Sequence, residues 1–189
     1  TTAGDYIFRD SPSDKVQGTV GARMLEDAGH KNVAIFWVNH AYGKGLNDVV
    51  TKEFSGKVVA SEMYEPGSSD FKTILIKFKA AAPDAIYMAA FPNEGAIFLK
   101  QMQELDIDVP VIASEGIKDP SFLETAGSAA NDVDLTVTVP SGEGLKFAQF
   151  KKDFVAKFGK EPGLFASESY DAIMMLKKAL ETSDGSGPG

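Results

Sequence analysis

Uncharged apolar runs alternate with helical apolar rhythms along most of this chain, and the clearest example lies near its middle. Ala85 to Ala90 (AIYMAA) holds Ile and Tyr and no charge, the pattern of a strand buried on both faces. Pro92 opens a segment with apolar residues at Ala96, Leu99, Met102 and Leu105, plus Ile97 and Phe98, which predicts a helix. Val109 to Ala113 is the next apolar run, entered through Pro110. Strand, helix and strand at this spacing make a parallel crossover unit. Open parallel sheets bind ligands at the carboxyl ends of their strands. Two loops reach that edge, Phe91-Pro92-Asn93 and Ser114-Glu115-Gly116, so an aromatic ring and a carboxylate face it together.

The flanking segments repeat the pattern. Tyr6 to Arg9 reads as a short strand, and Asp10-Ser-Pro-Ser-Asp14 offers caps for a helix running to about Ala28. Asn32 to Val38 is a buried strand, and Asn39 to Gly45 a loop into a helix carrying Leu46, Val49, Val50 and Phe54. Lys57 to Met63 is a strand, and Gly67 to Asp70 caps a helix with Ile74, Leu75 and Phe78. Pro120 starts a short helix, and Val133 to Val139 alternates as a strand. The predicted class is α/β, a doubly wound parallel sheet with right-handed crossovers.

After Pro140 the pattern changes to two helices. One carries Leu145, Phe147, Phe150, Phe154, Val155 and Phe158 and stops at Gly159 and Pro162; the other spans Phe165 to Leu180. Each has an apolar stripe that needs a covering layer. The earlier helices already cover both sheet faces, so these two are expected to belong to a second lobe whose sheet is encoded before Thr1 and after Gly189. The expected organisation is an α/β domain over 1–139, a helical segment over 140–182 and a flexible tail over 183–189.

Composition narrows the function. Apolar content of 43% and charged content of 24% are ordinary for a globular protein, and a net charge of -8 argues against nucleic acid as a partner. No run approaches the roughly twenty residues of a membrane span. Thr1 to Asp10 has neither the charged start nor the long apolar centre of a leader. The absence of cysteine excludes disulfides and thiol chemistry, and suits either a cytosolic or a periplasmic setting.

Candidate chemistry is sparse. Gly43-Lys44-Gly45 lacks the spacer and the following Ser or Thr of a phosphate loop. His30 and His40 stand apart, so no metal site is expected, and no cofactor. Ser11, Ser13 and Ser114 have no His at recognisable spacing, and neither a Gly-rich nucleotide fingerprint nor a nucleophile elbow is present. An enzyme is therefore not expected. Asp14 and Gln17 read as helix-capping residues, and Glu104, Asp106 and Asp108 as a solvated acidic turn.

Four stretches resemble one family. Phe8-Arg-Asp-Ser-Pro-Ser-Asp14 with Gln17-Gly18, Ala41-Tyr-Gly-Lys-Gly-Leu46, Phe154-Val-Ala-Lys-Phe-Gly-Lys-Glu-Pro162 and Ser169-Tyr-Asp-Ala172 resemble the type I periplasmic binding proteins. The branch they resemble most is the Leu/Ile/Val-binding proteins of branched-chain amino-acid ABC transporters. The resemblance implies a two-lobed receptor that closes on a small ligand and delivers it to a membrane permease. It implies that this chain is mostly the second lobe, with the first-lobe sheet as its missing partner, located in the periplasm or outside the cell on an anchor. It further implies that Glu115 takes a ligand ammonium and that Phe91 and Tyr42 wall the cleft, with Tyr170 a further ligand-site candidate whose competing role is packing at a lobe boundary. Many relatives carry Tyr where Phe91 stands, so a hydroxyl is missing here. The competing roles are a solvent carboxylate or helix cap for Glu115, and plain packing for the three rings. An extracellular sensory domain on the same fold is the alternative function.

Overall fold

The structure is a computed structural model that describes residues 7–137 and 145–183. The strands are β1 (Asn32–Val38), β2 (Lys57–Tyr64), β3 (Ala85–Ala89), β4 (Val111–Ala113) and β5 (Val133–Leu135). They form one sheet in the order β2-β1-β3-β4-β5, and every neighbouring pair is parallel. The helices are α1 (Asp14–Asp27), α2 (Ala41–Glu53), α3 (Lys72–Ala81), α4 (Pro92–Glu104), α5 (Pro120–Ala126), α6 (Leu145–Phe158) and α7 (Ala166–Thr182).

Side chains of a strand alternate between faces, so a central strand buried on both sides feeds two cores. Val33, Ile35, Ala85, Tyr87 and Ala89 point into one core with Ala22 and Leu25 of α1 and Leu46 and Val50 of α2. Ala34, Phe36, Val38, Ile86, Met88 and Ala90 point into the other, with Leu75 and Phe78 of α3, Phe98, Leu99 and Met102 of α4, and Phe122 of α5. Helices thus cover both faces, and the doubly wound α/β sheet expected from the sequence is present.

Contacts divide the chain into Ser13–Thr138 and a second unit made of Thr1–Pro12 with Val139–Gly189. Within the second unit the α6 rings Phe147, Phe150, Phe154 and Phe158 touch in succession, and Phe150 meets Tyr170 of α7 at 5.4 Å between centroids. No residue of α7 is buried, and Ile173, Met175, Leu176 and Leu180 are all more than half exposed.

Several expectations need correction. Ile7 to Asp10 form no strand. The segment Asn39–Gly45 is not a loop: α2 begins at Ala41, because the imidazole Nδ1 of His40 accepts the Tyr42 N–H at 3.3 Å and caps it. The strand expected over Val133–Val139 stops pairing at Leu135, and its alternation breaks there. Thr136 is buried while Val137 is exposed, since the Thr136 N–H donates to the Ala113 carbonyl at 2.9 Å and its hydroxyl accepts from Gln17 Nε2 at 3.1 Å. Gln17 is therefore not a helix cap. Thr138, Val139 and the tail from Asp184 lie outside the described residues.

Candidate functional site

In an open sheet the chain leaves neighbouring strands in opposite directions at one point, and the crevice there is the natural ligand site. Here that point lies between β1 and β3, since β2 follows β1 on one side and β3 and β4 continue on the other. Tyr42 follows β1, Phe91 follows β3, and Glu115 follows β4. The three come off adjacent strands at one carboxyl rim, as the crossover pattern predicts.

Their local structure differs from simple loops. Phe91 is the extended N-cap of α4, and its N–H donates to the Tyr64 hydroxyl at 3.1 Å. Its half-buried ring lies parallel to that of Tyr42, with centroids 6.4 Å apart, and edge-on to His40 at 6.0 Å. The ring therefore packs against both neighbours at the rim. Glu115 opens a 3₁₀ turn, Glu115–Ile117, and is only 7% exposed, so it is neither a solvated carboxylate nor the cap of α5. That cap is Asp119, whose carboxylate accepts the Ser121 N–H at 2.9 Å.

The Tyr42 hydroxyl accepts the Gly116 N–H at 3.1 Å. Its pKa is pushed up to about 12, chiefly because burial disfavours the phenolate, with Glu115 adding repulsion and the Gly116 N–H opposing the shift. The phenol is therefore neutral at ordinary pH and able to accept and donate at once. Burial also pushes up Tyr64 and Tyr87. The Tyr87 hydroxyl has no hydrogen-bond partner among the described residues.

Tyr170, the remaining candidate, belongs to the second unit, where it packs on Phe150. The sequence missed two supports of the rim. Glu94 and Gln101, seven apart on the buried side of α4, hold the loop after β2. Glu94 Oε1 accepts the Gly67 N–H at 2.7 Å; Gln101 Oε1 accepts the Phe71 N–H at 2.7 Å while its Nε2 donates to the Ser69 carbonyl at 3.0 Å. The available signal was their spacing: i and i+7 share a helix face, and here that face is the apolar one. Among the described residues no group of three or more acidic or His side chains could hold a metal ion.

A model of the family described as "Periplasmic binding protein" matches residues 1–188. The chain belongs to that family. Its relatives include the Leu/Ile/Val-binding protein BraC3 of Rhizobium johnstonii, 25% identical over 93% of this chain and 48% of the relative. The Leu/Ile/Val-binding protein of Escherichia coli K12 is 26% identical over 97% of this chain and 52% of its own length. Among solved structures, a leucine-binding protein from Thermotoga maritima superposes with a TM-score of 0.85 at 26% identity, covering 95% of this chain and 53% of that one. A branched-chain amino-acid transporter substrate-binding protein from Streptococcus pneumoniae in complex with isoleucine gives 0.83 at 25% identity, covering 97% and 54%. The chain spans about half the length of the curated relatives it matches. Members of the family are binding proteins for transport, and the family name implies a periplasmic or extracellular setting. No helix among the described residues is long and apolar enough to cross a membrane.

Proposed function

We propose that this chain is mostly the second lobe of a non-catalytic receptor for branched-chain or other apolar amino acids, working in the periplasm or outside the cell with an ABC permease. The observation that carries this reading is the buried carboxylate of Glu115 on the same rim as the parallel Phe91 and Tyr42 rings. A carboxylate taken further from water by closure is stabilised by a cation, and an α-ammonium is the cation an amino acid supplies. Phe91 and Tyr42 provide an apolar wall beside it, with a weak cation–π contribution on the order of 1 kcal/mol. Closure follows when the ligand binds the closed state more tightly than the open one.

The exposed apolar faces of α6 and α7 support a missing partner, the first-lobe sheet, because unpartnered patches of this kind mark interaction surfaces. No covalent step is assigned. The Ser114 hydroxyl donates to the Met88 carbonyl at 3.3 Å rather than meeting a base.

Calorimetric titration of the two-lobed protein with the twenty amino acids tests the reading. Leucine, isoleucine and valine are expected to bind, and Glu115→Gln to weaken them about 100-fold, the scale for removing one partner of a buried charge pair. Affinity for these ligands that is unchanged in that variant removes Glu115 from the site. Benzoate and 3,4-dihydroxybenzoate form a second arm, since a solved relative at 26% identity is in complex with the latter. Tight binding of either acid in place of amino acids refutes the ammonium assignment. A dye for exposed apolar surface is expected to bind the isolated chain and not the two-lobed protein; equal binding by both rejects the missing-sheet partner.

A further inference from the structure

We infer that the Tyr42 hydroxyl and Ser114 act as a positioning clamp on Glu115, so that the Tyr42 hydroxyl serves the carboxylate and only the ring of Tyr42 serves the ligand. The inference rests on the proposal that Glu115 takes the ligand ammonium.

The residues on either side of Glu115 are both held, one by the Tyr42 phenol and one by β3. Gly116 donates its N–H to the Tyr42 oxygen at 3.1 Å. Ser114 is fully buried and anchored to β3, its N–H donating to the Met88 carbonyl at 2.9 Å and its hydroxyl to the same oxygen at 3.3 Å. The turn is closed tightly over the ring. A Cβ on Gly116 would stand 2.5 Å from the Ala90 carbonyl oxygen and 3.1 Å from both the Tyr42 hydroxyl and its Cε1. Only glycine allows this approach.

A carboxylate on a three-residue 3₁₀ turn has little intrinsic rigidity, because such turns have poor hydrogen-bond geometry. Fixing Gly116 through the half-buried phenol and Ser114 through the Met88 carbonyl removes that freedom before the ligand arrives. Preorganisation of this kind raises affinity without any added contact. The phenol remains neutral until strongly alkaline pH, so the charge of the clamp does not change across the ordinary range.

Two measurements on the two-lobed protein test the clamp. The first is amide hydrogen exchange at Gly116, which needs no ligand. Tyr42→Phe is expected to speed exchange at Gly116 while leaving amides of β1 and β3 unchanged; unaltered Gly116 exchange overturns the clamp. The second is a double-mutant cycle read as leucine affinity. Tyr42→Phe alone is expected to weaken leucine about five- to tenfold, the scale of one hydrogen bond, and Ser114→Ala to act in the same direction. In a Glu115→Asp background, where the carboxylate is already displaced, Tyr42→Phe is expected to add little further loss. Equal losses in both backgrounds would mean that the hydroxyl contacts ligand directly and would overturn the inference. Leucine binding by the unaltered protein that ignores Glu115→Gln overturns the underlying site reading, and Gly116 exchange then still reports on the clamp by itself.

Discussion

Phe36→Ala is expected to lower the unfolding free energy by about 4 kcal/mol, the scale of deleting a fully buried aromatic ring. Phe36 sits in the middle of β1 with no exposure. Its ring stacks on Phe98 at 3.9 Å and on Tyr64 at 4.6 Å between centroids, and meets Phe71 edge-on at 5.1 Å. One side chain therefore joins β1, β2, α4 and the loop before α3. Alanine would leave a cavity that four rigid elements cannot close together, so the cavity cost adds to the lost transfer energy. The consequence reaches the site as well, because Tyr64 accepts the Phe91 N–H. Urea unfolding checks it: a lower midpoint with an unchanged slope is the expected result. Phe36→Leu, which retains most of the volume, is expected to cost less than half as much. Equal stability of Phe36→Ala and the unaltered protein would mean that this aromatic cluster does not carry the sheet.

The second large effect is expected at Gly43, in the first turn of α2. A Cβ there would strike the Val38 carbonyl oxygen and would lie 2.8 Å from Val38 Cγ1 and 2.9 Å from the Val38 amide nitrogen. Two of these atoms are backbone of β1, so no rotamer change relieves the overlap; the helix must move off the strand. Alanine gains roughly 1 kcal/mol over glycine in a helix. The overpacking outweighs this, for a net loss of about 2–3 kcal/mol. Gly45 supplies the control, since a Cβ there would meet nothing closer than the Asp14 carboxylate at 3.5 Å. Gly45→Ala is expected to be neutral or slightly stabilising, and thermal melts of the two variants decide the matter. Gly43→Ala as stable as Gly45→Ala would show that α2 can tilt freely. Tilting would also draw Tyr42 away from Gly116, so leucine affinity is expected to fall together with the melting temperature in the first variant only.

The fold was legible where burial is written in local periodicity. Ala85–Ala90 lacks charge because it has no solvent face, and that alone identifies a central strand. The α4 rhythm was equally plain, since Ala96, Phe98, Leu99 and Met102 all reach the core. Strand-to-loop edges were harder. Asn39–Gly45 read as a loop, but Gly43 serves close helix–strand contact, and a His side chain supplies the cap. At Val133–Val139 the alternation suggested a longer strand than the sheet has neighbours to pair. The first outcome is set by near neighbours in the chain, the second by partners distant in it. His40 caps by a local bond, but the Gly43 contact with Val38 fixes where α2 lies. Thr136 turns inward because Ala113 and Gln17 satisfy it.

The candidate site divides the same way. Phe91 and Glu115 were readable as the first residues beyond apolar runs, and the parallel crossover rule sends such residues to one rim. Their mutual order was not readable, because β4 could have paired on either side of β3 without altering any local pattern. Nor were the Glu94 and Gln101 supports, which look like surface polar residues until the loop after β2 folds over them.

By itself, then, the sequence of this protein determined most of its strands and helices, that the sheet is parallel, and which residues follow the central strands. Only the tertiary structure decided the strand order β2-β1-β3-β4-β5, the burial of Glu115 and the Tyr42 hydroxyl that ties the adjacent Gly116. The reason is physical: side-chain periodicity records whether a position meets water, whereas a hydrogen bond between residues 74 apart depends on which strands lie side by side.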